Sequence, residues 1–117
     1  MTDRDPDCLF CRILAGEIPS DRVHQDDDVI AFRDIAPRAP THVLVIPRRH
    51  IPDADGLTPG DGDLLAKLFT VVRDVAAAEG LEKGHRVVTN VGPESGQTVF
   101  HLHLHLLGGR PMAWPPG

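Results

Sequence analysis

Long apolar runs, an excess of basic charge and a cysteine framework are all missing from this 117-residue chain. No stretch is apolar for long enough to span a bilayer, and the start Met1-Thr-Asp-Arg-Asp-Pro-Asp7 is the opposite of a basic leader. A soluble, cytoplasmic protein with no membrane partner is expected. Twelve Lys and Arg against 17 Asp and Glu give a formal net charge of −5, which argues against a broad nucleic-acid surface and leaves room for a small anion held by local donors. The only cysteines, Cys8 and Cys11, exclude the disulfide framework of a small secreted fold and form a single Cys-x-x-Cys. Repeats and low-complexity linkers are absent, and the length fits one domain, residues 1–117, with a two-layer core.

Against these absences stands one concentrated feature, Phe100-His-Leu-His-Leu-His-Leu-Leu107. Side chains on a strand alternate between faces, so His101, His103 and His105 would share one face, with Leu102, Leu104 and Leu106 on the other. A helix, at about 3.6 residues per turn, would scatter the same rings. A row of imidazoles is costly unless used, because protonating one depresses the pKa of the next.

The remaining periodicity places these residues in a fold. Cys8 to Ala15 reads as a short helix stopped by Gly16 and Pro19. Arg22 to His24 and Val29 to Arg33 read as two strands, divided by the solvated turn Asp26-Asp27-Asp28. His42 to Pro47 is a nearly continuous apolar run and a central strand. Asp53 to Gly62 reads as a loop, with Asp61 or Asp63 capping the amphipathic helix Asp63 to Glu79 that Gly80 ends. Arg86 to Val91 makes a further strand, Gly92 to Gly96 a tight loop, and Thr98 to Leu107 the histidine strand. Hairpin-like succession on either side of one long helix predicts an α+β fold with a five-stranded antiparallel sheet and a second, short helix.

His101-Leu-His-Leu-His-Leu-Leu resembles the signature of the histidine triad family of nucleotide hydrolases and transferases. Asp34-Ile-Ala-Pro-Arg-Ala-Pro-Thr-His-Val-Leu-Val-Ile-Pro-Arg-Arg-His50, Gly96-Gln-Thr-Val-Phe100 and the ending Leu107-Gly-Gly-Arg-Pro-Met-Ala-Trp-Pro-Pro-Gly117 extend the likeness to the branch of histidine triad nucleotide-binding proteins. The resemblance implies that His103 attacks the α-phosphorus of a purine nucleoside phosphoramidate or acyl nucleotide, with water then releasing the nucleoside monophosphate. It implies that His105 and His42 stand beside His103, with His42 orienting the His103 ring. Thr98, where the branch has serine, keeps a hydroxyl near the leaving group. Asn90 and Gly96-Gln97-Thr98 would contact phosphate, and Asp34 the ribose hydroxyls. Phe10, Ile13, Phe32 and Ile35 would wall the base, although ordinary core packing accounts for those four equally well.

The resemblance also implies a homodimer, with the sheet extended across a two-fold axis and residues 108–117 reaching the partner's site. It offers His50 and His101 to complete a structural zinc site with Cys8 and Cys11, the metal taking no part in the chemistry; free thiols and a redox pair are the other readings of the cysteines. Other functional readings stay open: a dinucleoside polyphosphate hydrolase, a metalloenzyme using His101, His103 and His105 as ligands, and a nucleotide-binding regulator with incidental hydrolysis.

Overall fold

A computed structural model describes residues 5–117; most of the N-terminal stretch weighed above as a leader lies outside the described residues. The chain runs α1 (Leu9–Leu14), β1 (Arg22–Gln25), β2 (Val29–Arg33), β3 (Thr41–Pro47), α2 (Gly62–Ala78), β4 (His85–Val88) and β5 (Leu104–Gly108). Three single 3-10 turns, Ala54–Gly56, Pro59–Asp61 and Pro93–Ser95, punctuate the loops. The strands form one sheet in the order β1-β2-β3-β5-β4, antiparallel at every pairing. The expected α+β architecture is observed. Among the described residues no helix is long and apolar enough to cross a membrane.

β3 occupies the centre because its apolar run suits burial on both faces, and all seven of its residues are buried. Val43 and Val45 point into a core with Leu68, Val71, Val72 and Val75 of α2. Leu44 and Ile46 point the other way, into a smaller core with Phe10, Cys11 and Ile13 of α1 and Phe32 of β2. His42 shares parity with Leu44 and therefore the α1 face, which carries the polar chemistry.

The histidine segment departs from expectation. The ladder of β5 begins only at Leu104, so His101 and His103 precede the strand. The cause is a shortage of neighbours: β3 pairing stops at Val45↔Leu104 and β4 pairing at Val88↔His105. Other bonds take over upstream, with Leu102 N–H donating to the Ile51 carbonyl at 2.6 Å and the Thr89 hydroxyl to the His103 carbonyl at 2.8 Å. Alternation survives the lost ladder: Leu102, Leu104 and Leu106 lie in the α2 core, while Phe10 of α1 packs on the rings of His101 and His103. β4 is likewise shorter than the run Arg86 to Val91, for the same reason.

Two turns are more ordered than their composition suggests. Asp26 organises the β1–β2 hairpin, its Oδ1 accepting from the N–H groups of Asp28 (2.8 Å) and Val29 (2.9 Å), so only part of the acidic triplet is merely solvated. Asp61 occupies the N-cap position of α2, but its side chain makes no bond into the helix. It turns back to the Thr58 N–H and hydroxyl and pairs with Arg49 instead.

The C-terminus of α2 is closed by Gly80 at φ +74°, its N–H donating to Ala77 and that of Leu81 to Ala76. A Cβ at Gly80 would meet nothing within 4 Å, so its cost is purely the left-handed backbone. Gly80→Ala should therefore lower the unfolding free energy by about 1 kcal/mol. Urea denaturation checks this, and an unchanged midpoint would show that the helix end relaxes.

Candidate active site and metal centre

Two clusters meet on the α1 face. In the first, Cys8 caps α1 and Cys11 sits in its first turn, while His50 follows β3 and His101 precedes β5. The Nδ1 of His101 lies 3.5 Å from Cys8 Sγ, 3.6 Å from Cys11 Sγ and 3.2 Å from His50 Nδ1, and His50 Nδ1 lies 3.4 Å from Cys11 Sγ. All four ligand atoms fall within 4.8 Å of one another. A tetrahedral zinc with Zn–S of about 2.3 Å and Zn–N of about 2.1 Å needs S···N edges of about 3.6 Å and an N···N edge of about 3.4 Å. The residues fit such an ion closely. The outer contacts fit too: His101 Nε2 sits 2.8 Å from the Pro47 carbonyl, which accepts its N–H and leaves Nδ1 as the ligating atom. Burial raises the Cys8 thiol pKa, the reverse of what a reactive redox cysteine requires.

The second cluster starts two residues further on. His103 Nδ1 lies 2.7 Å from the His101 carbonyl, which can only accept, so Nδ1 carries the hydrogen and Nε2 keeps its lone pair. Phe10 packs edge-on against the ring at 5.1 Å between centroids. The sequence reading set His42 behind His103; the structure sets it behind His105, with His42 Nε2 at 2.9 Å from His105 Nδ1. The Arg38 backbone N–H donates to His42 Nδ1 at 3.0 Å. That bond assigns the rest of the chain: neutral His42 carries its hydrogen on Nε2 and donates it to His105 Nδ1, so His105 presents N–H at Nε2. Asp34 Oδ2 stands 3.5 Å from His42 Nε2.

His103, His105 and Asp34 open onto a cleft of about 310 Å³, with His42 buried behind His105. His103, His105 and Thr98 border one end, Asp34 the middle, and Phe10, Ile13 and Phe32 the apolar wall. Ile35 contributes from the rim, fully exposed. A groove elsewhere, between the β1–β2 turn and the start of α2, is lined by charges such as Lys67 and Arg49 that already pair with Asp26 and Asp61.

The matching family model is the HIT domain, over residues 15–112. This chain belongs to the histidine triad family. Like it is a HIT-like protein of Synechococcus elongatus, 52% identical over 111 residues that span 95% of this chain and 97% of that one. A 14 kDa zinc-binding protein of Zea mays is 49% identical over 119 residues, covering 97% of this chain and 90% of its own. Among solved structures, a HIT family hydrolase from Legionella pneumophila superposes with a TM-score of 0.93 at 52% identity, over 95% of this chain and all of that one.

Within this histidine triad protein not every expected residue reaches the cleft. His42, Asn90, Gly96 and Gln97 do not line it, His42 reaching it only through His105. The Gly96 and Gln97 amides donate to the carbonyls of Pro93 and Gly92, and the buried Gln97 side chain ties Gly92, Pro52 and Val99 together, so the loop is a staple in this conformation. Conversely, Ile18, Pro19, Ser20, Leu44 and Val99 line the cleft without having been expected. Leu44 was legible in principle, because it shares parity with His42 on β3; the loop residues carry no periodic signal.

Burial lowers the pKa of His42, His103 and His105 below the ordinary 6.5, and His105, which also faces the charge His103 and His42 would carry, falls to about 4. The unfolded chain therefore takes up protons near pH 6.5 that the folded chain refuses, so stability present above pH 6.5 is lost as pH falls through about 4. His105→Gln should flatten that loss in denaturation curves between pH 6.5 and 4. An equally steep loss would mean that His105 is not held neutral.

Proposed function

We propose that this protein is a purine nucleoside phosphoramidase, hydrolysing P–N or acyl-phosphate bonds of AMP- or GMP-linked substrates through a nucleotidyl-histidine. The observation that carries this reading is the His103 ring, whose Nδ1–H is committed to the His101 carbonyl while Nε2 stays unprotonated at the cleft. A neutral imidazole at neutral pH is a competent nucleophile toward phosphorus. The apolar wall of Phe10, Ile13 and Phe32 suits a base, and the Asp34 carboxylate suits ribose hydroxyls as an acceptor. The Legionella protein, a HIT family hydrolase, supports hydrolysis as the reaction.

In the first step His103 Nε2 forms a bond to phosphorus, the P–N bond breaks, and the leaving nitrogen takes a proton from solvent in the open cleft, His105 keeping its own. In the second, water adds to phosphorus and the P–Nε2 bond breaks. Water's hydroxyl stays on phosphorus and its other hydrogen returns to solvent, replacing the proton that the amine took up, so one water is consumed and the enzyme is restored. His105 Nε2–H is the donor aimed at charge developing on the phosphoryl oxygens, and the His42–Arg38 chain holds it in that tautomer.

Structural zinc on Cys8, Cys11, His50 and His101 belongs to the proposal, supported by the four-atom geometry and by the maize relative's zinc binding. Such an ion would brace the His101 backbone from outside the reaction. A homodimer belongs to it as well. β4 is an edge strand, the Arg86 guanidinium holds the tail through the Ala113 carbonyl at 2.8 Å, and Trp114 is 82% exposed, available to a second copy. Sedimentation should return the mass of two chains.

Intact-protein mass spectrometry during turnover of an adenosine or guanosine phosphoramidate tests the chemistry. Wild type should show a nucleotidyl adduct that His103→Ala lacks, with activity falling on the order of 10⁴-fold or more. Turnover without an adduct, or unimpaired His103→Ala, would overturn the covalent route. Metal analysis should find one zinc per chain, bound at least about 100-fold more weakly by Cys11→Ser, a ligand loss outweighing an outer-contact loss. A metal-free, equally stable wild type would remove zinc from the proposal.

A further inference from the structure

The cleft crosses the sheet strand by strand. His105 lies on β5, Leu44 on β3, Phe32 on β2 with Asp34 just beyond its end. The last wall comes from the segment entering β1, where Arg22 stands opposite Phe32 and Ser20 lies two residues earlier, beyond Asp34. From β5 to that segment is three strand spacings, about 14 Å. On the proposed reading, on which this inference rests, phosphate lies at His103 and ribose at Asp34, so the base extends toward Ser20.

Ser20 carries the hydroxyl at this end of an otherwise apolar wall, and its hydrogen-bonding role is set from behind. Arg22 Nη2 donates to the Ile13 carbonyl at 2.7 Å, Nη1 to Gln25 Oε1 at 3.1 Å, and Nε to Ser20 Oγ at 3.4 Å. The guanidinium is thereby anchored at the C-terminal end of α1, beside the Ile13 base wall. Arg22 takes one of the two Oγ lone pairs and sets a positive charge beside the hydroxyl, and among the described residues no acceptor is bonded to the Ser20 hydrogen, which is free to donate.

We propose that Ser20, polarised by Arg22, is a specificity residue that reads the far edge of the purine and favours guanine over adenine. Guanine presents a carbonyl oxygen at C6, an acceptor that suits both the hydroxyl hydrogen and the positive charge behind it. Adenine presents an amino group there, which leaves the free O–H without an acceptor and turns partial positive charge toward the guanidinium, with only the remaining Oγ lone pair to accept it. One neutral hydrogen bond gained or lost corresponds to about a five- to tenfold effect.

The test is calorimetric binding of GMP and AMP to wild type and Ser20→Ala, paired with kcat/KM for guanosine and adenosine phosphoramidates. Wild type should bind GMP about five- to tenfold more tightly than AMP. Ser20→Ala should erase that ratio by weakening GMP while leaving AMP within about twofold. An adenine preference, or a guanine preference that Ser20→Ala leaves intact, overturns the inference alone, because both nucleotides still bind and react. Failure of either nucleotide to bind and of both phosphoramidates to react overturns the proposed function as well, and the two failures are therefore distinguishable.

Discussion

His101 is held at three points, and the arrangement of the site depends on all of them. Its Nε2–H is accepted by the Pro47 carbonyl, its Nδ1 faces two thiols and His50, and its own carbonyl accepts from His103. Pro47 ends the central strand, so the ring is registered against the most buried part of the sheet. The segment 98–103 has no ladder partner, so the His101 side-chain tether joins the Leu102 and Thr89 hydrogen bonds in placing the His103 ring. The geometry of the Cys8, Cys11, His50 and His101 cluster and the orientation of His103 are thus one mechanical problem with a single residue between them.

Much of this was legible from residue order. The period-two pattern of His101 to Leu106 divides imidazoles from leucines, and the fold preserves that division where the ladder itself is missing. The continuous apolar run of β3 marked the sheet centre, and the long amphipathic stripe marked α2. What stayed hidden depends on backbone groups and on nonlocal neighbours. Nothing in the letter Arg38 says that its amide, four residues before His42, turns back to that ring. Nothing in Gly96-Gln97 says that its amides are already bonded within its own loop, because a glycine-rich loop looks the same whether its N–H groups face a ligand or its own carbonyls. The strand boundary at Leu104 was invisible for a related reason: a ladder ends where its neighbours end.

The loop preceding β3 has a role beyond connection. It presents Asp34 at the cleft, donates the Arg38 amide to His42, and is held by the Arg110 guanidinium, which donates to the Arg38 carbonyl at 2.8 Å. One residue's two backbone groups therefore join the C-terminal segment to the tautomer of a buried histidine. A shift of the tail would be felt at His42 through a single residue, with no need for a longer path.

The same logic separates the two clusters that could, by residue type alone, hold a metal. Asp34, His42 and His105 bring three ligand atoms within 4.8 Å, as closely as the cysteine cluster does. Ligation through one imidazole nitrogen requires the other to donate its hydrogen to an acceptor. His101 meets that condition, because a carbonyl faces its Nε2. His42 does not: a backbone N–H faces its Nδ1, so its Nε2 must keep the hydrogen that a metal would displace. An ion there would require either an anionic imidazolate or the loss of the Arg38 bond inside a buried site, and both are costly. Opposite groups behind the two rings thus suit one cluster to metal binding and the other to proton-bearing hydrogen bonds, a distinction that distances among the ligand atoms do not reveal.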